Sequence, residues 1–246
     1  MAAPVPPAQA PAASSHIPFV TDAMRLVRVL FAPGAVFDEQ KEQPTWFVPW
    51  LIVAILCVVI GFWNLPYSQR TIELALQNYP NAPQLTDAQM RSRAMMGLPF
   101  LPIIFLIFAL IGAGIMYLVV TIFGGRARFR GMLSASVFSQ VLLPITLLLQ
   151  CVILRMRGSP AEAITTMADA QPALGLNVLL TSDSRFMQAI YAGIGPLQLW
   201  AIFIMAVGVT RLESVKKSTA WWAAIIQFVV LLLIAAGLST LGGGRG

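Results

Sequence analysis

The sequence predicts an all-α polytopic membrane protein, with five transmembrane helices behind an N-terminal interfacial amphipathic helix, oriented N-in/C-out. Three observations carry this reading. Of 246 residues, 58% are apolar and only 11% charged, against roughly 25% charged in a soluble domain. Every formal charge falls outside five apolar runs, at 45–63, 98–123, 132–154, 186–210 and 218–241. Each run is 19 to 26 residues long, and about 20 helical residues cross a hydrocarbon core. The runs lack the period-two alternation of a barrel strand, so helices are left to satisfy the backbone in lipid.

The chain opens on a Pro/Ala-rich stretch, 1–17, that carries no charge and reads as a disordered tail. His16 is the sole histidine, and its place in the tail removes histidine-based catalysis. The first charge is Asp22 and the first basic residue Arg25, well ahead of any apolar run, which is not the pattern of a cleavable signal. Residues 18–44 read as a cytoplasmic interfacial amphipathic segment. Thr21 caps a short helix with Asp22 in its first turn, and Asp22, Arg25 and Arg28 make that helix too charged to span. Pro33 and Gly34 end it, and a second turn leads to Pro44. Trp46, Phe47 and Trp50 then suit an aromatic belt at the start of the first span. Residues 45–241 form one five-helix domain. Its two longer loops carry capping-box spacing, at Thr86 with Gln89 and at Ser159 with Glu162, which predicts a short helix in each.

A net charge of +6 points to anionic lipid headgroups and away from nucleic acid, because no charged face survives outside the loops. Segments 1–44, 124–131 and 211–217 hold nine Lys/Arg, dense in the two short connectors. The opposite loops and the C-terminal tail hold seven, spread thinly, with Arg155 and Arg157 running against the trend. Dense basic residues in short loops favour the cytoplasmic side. The predicted location is the cytoplasmic (inner) membrane, multi-pass.

No catalytic, cofactor-binding or metal-ligating set emerges, and no cofactor is implied. Cys57 and Cys151 lie inside apolar runs as small buried hydrophobes. The ionisable group that an ion-coupled carrier needs within the bilayer, and a general base for an intramembrane hydrolase, are missing from the runs. The polar residues that do enter them are uncharged. Ser136, Gln140 and Pro144 share one helix face at i, i+4 and i+8, and Gln198 follows Gly195 and Pro196 in the fourth run. Pro144 removes a hydrogen bond to the Gln140 carbonyl, which the glutamine's own amide can replace. Two readings of this intramembrane polar face, Ser136, Gln140 and Gln198, stay open. One is interhelical hydrogen bonding; the other is a groove for a lipid headgroup or a small solute.

Between the second and third runs lies FGGRARFRGM. Gly124 and Gly125 predict a left-handed helix cap, and a short connector makes the flanking helices antiparallel neighbours. Arg126, Arg128 and Arg130 sit at headgroup level, with Phe129 dipping into the interface. Together they form a candidate docking surface for anionic lipid or an acidic partner.

The order of these features resembles the prokaryotic branch of the YIP (Ypt-interacting protein) domain family. Gly124, Gly125 and Phe129 match its connector, Pro144 its central proline, and Trp200, Gly208 and Arg211 its later tryptophan-containing helix and basic turn. The resemblance covers roughly residues 24 to 240 and implies five membrane helices with a cytoplasmic N-terminus. The aspartate-leucine-tyrosine-glycine-proline motif of eukaryotic members is absent, so their association with small GTPases is not carried over. The expected function is non-enzymatic: organising or assisting a membrane process through lipids and an unidentified membrane-protein partner or a second copy. Alternatives are a transport component, either a passive pathway or an accessory subunit of an exporter, and an intramembrane enzyme.

Overall fold

Among the residues that the computed structural model describes, 18–77 and 85–241, all regular structure is helical. The tail expected at 1–17, with His16, lies outside the described residues. Helices α1 (Pro18–Arg28) and α2 (Pro33–Glu39) precede α3 (Phe47–Trp63) and α4 (Leu65–Gln77). Helix α5 (Asp87–Met96) runs through a single 3-10 turn into α6 (Leu101–Ile122). There follow α7 (Phe129–Ser139), α8 (Leu142–Met156), α9 (Pro160–Ala163), α10 (Arg185–Gly193), α11 (Pro196–Glu213) and α12 (Lys217–Leu241).

Four stretches are long and apolar enough to cross a membrane: Asp87–Ile122, Phe129–Met156, Pro196–Glu213 and Lys217–Thr240. Helices α3 and α4, bent by 66° to one another, make a fifth if they count as one span. The chain is therefore an all-helical membrane protein of four to five spans. Alone, the 17 residues of α3 reach about 26 Å, a little under a ~30 Å hydrocarbon core.

Two of the apolar runs are not single rods. The third breaks after Ser139, and the Gln140 carbonyl, which Pro144 cannot serve, accepts from the Leu143 N–H at 2.9 Å. The repair expected from the Gln140 amide does not occur. Its Nε2 donates across to the Phe105 carbonyl of α6 at 3.0 Å. The fourth run, expected to be continuous, breaks at Ile194 and Gly195. Pro196 opens α11, where its missing N–H costs nothing. The Ile194 carbonyl instead accepts the Leu176 N–H of the preceding loop at 2.8 Å.

Helix α7 occupies the centre. Every residue from Gly131 to Ser139 is buried, between α3, α6 and α11. The remaining wall is α2, which the sequence reading left at the interface as part of segment 18–44. Phe37 of α2 is fully buried and meets Phe138 edge-on at 5.7 Å. A β-carbon at Gly208 would lie 2.9 Å from both the Phe37 ring and the Ala135 β-carbon, so glycine makes the notch that the ring fills. A ring with a matching notch gains more by burial in the bundle than at an interface. Helix α1 differs too. It starts at Pro18, so Thr21 lies inside the helix and does not cap it. Asp22 turns inward, accepting from Arg25 at 3.0 Å and from the Thr45 hydroxyl at 3.2 Å. The outer face of α1 leaves Val20, Met24 and Val27 exposed.

At the opposite end the two longer loops pack on each other around Tyr67, Leu154, Ala163 and Ile164. The Tyr67 hydroxyl donates to the Gly158 carbonyl at 2.9 Å. Arg155 lies 4.0 Å over the Trp63 ring and donates to the Trp63 carbonyl at 2.6 Å, a cation at the C-terminus of α3. Both short helices form: Thr86 and Gln89 exchange backbone-to-side-chain hydrogen bonds at 2.9 and 3.4 Å. At α9, Glu162 accepts both the N–H and the hydroxyl of Ser159 at 2.8 Å.

Phe37→Ala is expected to destabilise the protein by about 3–5 kcal/mol, the usual range for a buried phenylalanine. The thermal midpoint in mild detergent measures this. Phe31→Ala, at a residue 83% exposed, leaves the midpoint unchanged. Equal effects from the two substitutions would remove α2 from the core.

Candidate functional site

The glycine turn after α6 is a Schellman cap. The Gly124 N–H donates to the Thr121 carbonyl at 3.0 Å and the Gly125 N–H to the Val120 carbonyl at 2.9 Å. Gly124 is left-handed, with φ +74°, as its place in the motif requires. The turn thus aims the following residues back across the end of the bundle.

The three arginines have different surroundings there. Arg128 precedes α7, and its backbone N–H donates to Glu213 Oε2 at 2.7 Å. Its guanidinium donates to the Lys41 and Leu212 carbonyls at 2.8 and 3.0 Å and pairs with Glu213 at 3.5 Å. The Glu213 side chain, only 3% exposed, lies over the N-terminus of α7, where a carboxylate is favoured. A β-carbon on Gly131 would overlap Glu213 Oε1. Arg130 donates to the Pro44 carbonyl at 2.8 Å. Beneath it, the Ser134 hydroxyl donates to the Thr45 carbonyl at 2.8 Å, and Gln40 Oε1 accepts from the Thr45 N–H at 3.2 Å. Arg126 is exposed and lines an open cleft of about 640 Å³ with Lys41, Glu42, Arg128 and Ser214. Phe129, 42% exposed, meets Tyr117 edge-on at 6.4 Å. Arg128 and Arg130 therefore bind the 41–45 segment and α11 to the turn, while Arg126 faces outward.

The later family-motif residues converge on the same N-terminal segment. Trp200 Nε1 donates to the Leu30 carbonyl at 3.2 Å, Gly208 receives Phe37, and Arg211 pairs with Asp38 at 3.4 Å. Their spacing puts all three on one face of α11. Pro144 lies buried just past the α7–α8 break.

A second arrangement lies at the two helix breaks. A cavity of about 370 Å³ is lined by Gln140 at the α7–α8 junction, Gln198 in the first turn of α11 and Gln227 of α12. Ser139 and Thr146 add hydroxyls, and Phe105, Phe108, Leu143, Phe228 and Leu231 form much of the apolar wall. The amide oxygens of all three glutamines are buried with no hydrogen-bond partner among the described residues. Gln140 and Gln198, expected on one polar face, are thus brought together. Ser136 is not in the wall. It sits behind Gln227, where both side chains crowd the bare backbone of Gly112. Sequence reasoning left Gln227 and Glu213 out of the candidate sites. Their signals were the sole amide of an apolar helix and an acid closing a helix opposite an arginine-rich turn.

The Yip1 domain model matches residues 27–239. The chain is 24% identical to Membrane protein YknW of Bacillus subtilis (strain 168) over 226 residues, covering 87% of this chain and 90% of that protein. No solved structure matches it. With nearly its whole helical bundle inside the matched segment, the chain belongs to the Yip1 domain family.

Proposed function

We propose that the chain is a non-enzymatic protein of the cytoplasmic membrane that assists or organises a membrane process through lipid and partner contacts. Its arginine-rich end faces the cytoplasm. The observation that carries this reading is the division of labour in the 124–131 turn. Arg128 and Arg130 donate to carbonyls of the chain itself, while Arg126 and Lys41 line the open cleft, which Arg128 shares, without such a side-chain contact among the described residues. Docking of anionic headgroups or of an acidic partner then falls to Arg126 and Lys41, on a turn that the other two arginines hold in place. The exposed apolar stripe of α1, Val20, Met24 and Val27, lies in the headgroup–acyl boundary beside it. A second reading, a transport component, draws its support from the cavity at Gln140.

Two measurements test the proposal. A reporter fused after Gly246 is expected to behave as extracytoplasmic and one inserted at Gly125 as cytoplasmic; the reverse pattern overturns the orientation. Arg126→Gln is expected to cut phosphatidylglycerol retention by purified protein about fivefold, as one headgroup-level cation supplies, with an unchanged thermal midpoint. Arg128→Gln leaves buried Glu213 without its cation and is expected to cost about 1–3 kcal/mol of stability. Unchanged lipid retention and unchanged partner recovery in Arg126→Gln would refute docking at the cleft.

A further inference from the structure

Three glutamines from separate helices line one cavity, and the amide oxygen of each is buried without a hydrogen-bond partner among the described residues. Gln227 is the most enclosed, at 5% exposure. The cavity lining holds no ionisable residue. We infer that this cavity binds the hydroxyl group of a neutral, chain-bearing alcohol, either a long-chain alcohol or a glycerolipid.

The polarity of the lining selects that chemistry. The unpaired amide oxygens are acceptors, so a group that reaches them must donate, and acceptors left empty in a low-dielectric site are costly. A divalent cation takes about six or more oxygen ligands, usually with carboxylates among them, and this lining offers no carboxylate. An ammonium group would be a buried charge without a counter-charge. An anion would face three acceptor oxygens. A hydroxyl fits both halves of a glutamine amide: it donates to the oxygen, and it can accept from an amide N–H of the lining. The volume falls within the roughly 300–1,000 Å³ range of small-ligand cavities. Ile104 lines the cavity and is also 41% exposed on the outside of α6. An alkyl chain can therefore pass from the cavity into the bilayer without leaving an apolar environment.

The test is photolabelling of the full-length protein in mild detergent. The probes are a diazirine-bearing long-chain alcohol and its methyl ether, which differ only in the donor. The alcohol is expected to label the segments around Phe105, Leu143 and Phe228 about fivefold more than the ether, the ratio that one net hydrogen bond supplies. Gln227→Leu and Gln198→Leu should each bring that ratio towards one while the thermal midpoint holds or rises. Equal labelling by both probes in the unaltered chain, or labelling confined to other segments, overturns the inference without any variant having to fold. Excess free glycerol separates a chain-bearing alcohol from a water-soluble polyol. Labelling that survives it supports the chain-bearing alcohol; labelling that it abolishes assigns a water-soluble polyol and refutes the lipid ligand.

Discussion

A helix with nine consecutive buried residues, Gly131 to Ser139, has no face left for lipid, so protein must wall it on every side. Helices α3, α6 and α11 supply most of that enclosure. The rest comes from α2, whose Phe37 enters the notch at Gly208 and Ala135. Lipid tails are as apolar as leucine, so burial against lipid and burial against protein differ little in transfer free energy. Shape and hydrogen bonds must then hold α2 in place. The Phe37–Phe138 edge contact supplies the first, and the links joining Gln40, Thr45 and Ser134 supply the second. The family-motif residues Trp200, Gly208 and Arg211 acquire one common role from this arrangement, because each holds a different part of the N-terminal segment.

The three arginines of the 124–131 turn differ in how closely their surroundings constrain them. A basic connector at a membrane surface sets orientation by charge density alone, and any cation in it would serve. Arg128 is more constrained: two carbonyls and a buried carboxylate surround it, and its own backbone N–H completes the cap on α7. A lysine retains the charge but lacks the planar set of donors that reaches three acceptors at once. Arg126 has no such contact among the described residues, so the proposed headgroup contact falls to it.

Much of this was legible in the sequence, for identifiable reasons. Charge exclusion and run length predicted an all-helical membrane protein, which the four to five candidate spans bear out, though not the continuity of the fourth run; the Gly124–Gly125 pair predicted the left-handed cap, and Thr86 and Ser159 announced their short helices. All of these are local signals. What could not be read depends on partners distant in sequence. An apolar run looks the same whether it faces lipid or protein, so the enclosure of α7 left no trace in its composition. Residues 33–39 look interfacial until the notch at Gly208 is known. Pro144 announced a kink, but the direction taken by the Gln140 amide was decided by the Phe105 carbonyl, 35 positions away in the chain.

The two helix breaks show how the bundle tolerates irregular backbone at membrane depth. Unpaired N–H and C=O groups are excluded from lipid, and are accepted only where protein or a cavity receives them. At Ile194 the receiver is Leu176, within the loop that precedes α10, whose N–H fills the exposed carbonyl. At Gln140 the chain tightens to a three-residue hydrogen bond and sends its side-chain amide to α6. Both solutions deal with the backbone. Neither satisfies the amide oxygens of Gln140, Gln198 and Gln227, although leucine at 198 or 227 would suit an apolar interior, and only at 140 would it remove a hydrogen bond seen among the described residues. Interhelical bonding alone accounts for one of these glutamines, through the Gln140 Nε2 contact, and for none of the three oxygens. The polar groups are thus in excess of what the fold requires, and the excess converges on the cavity where both breaks meet.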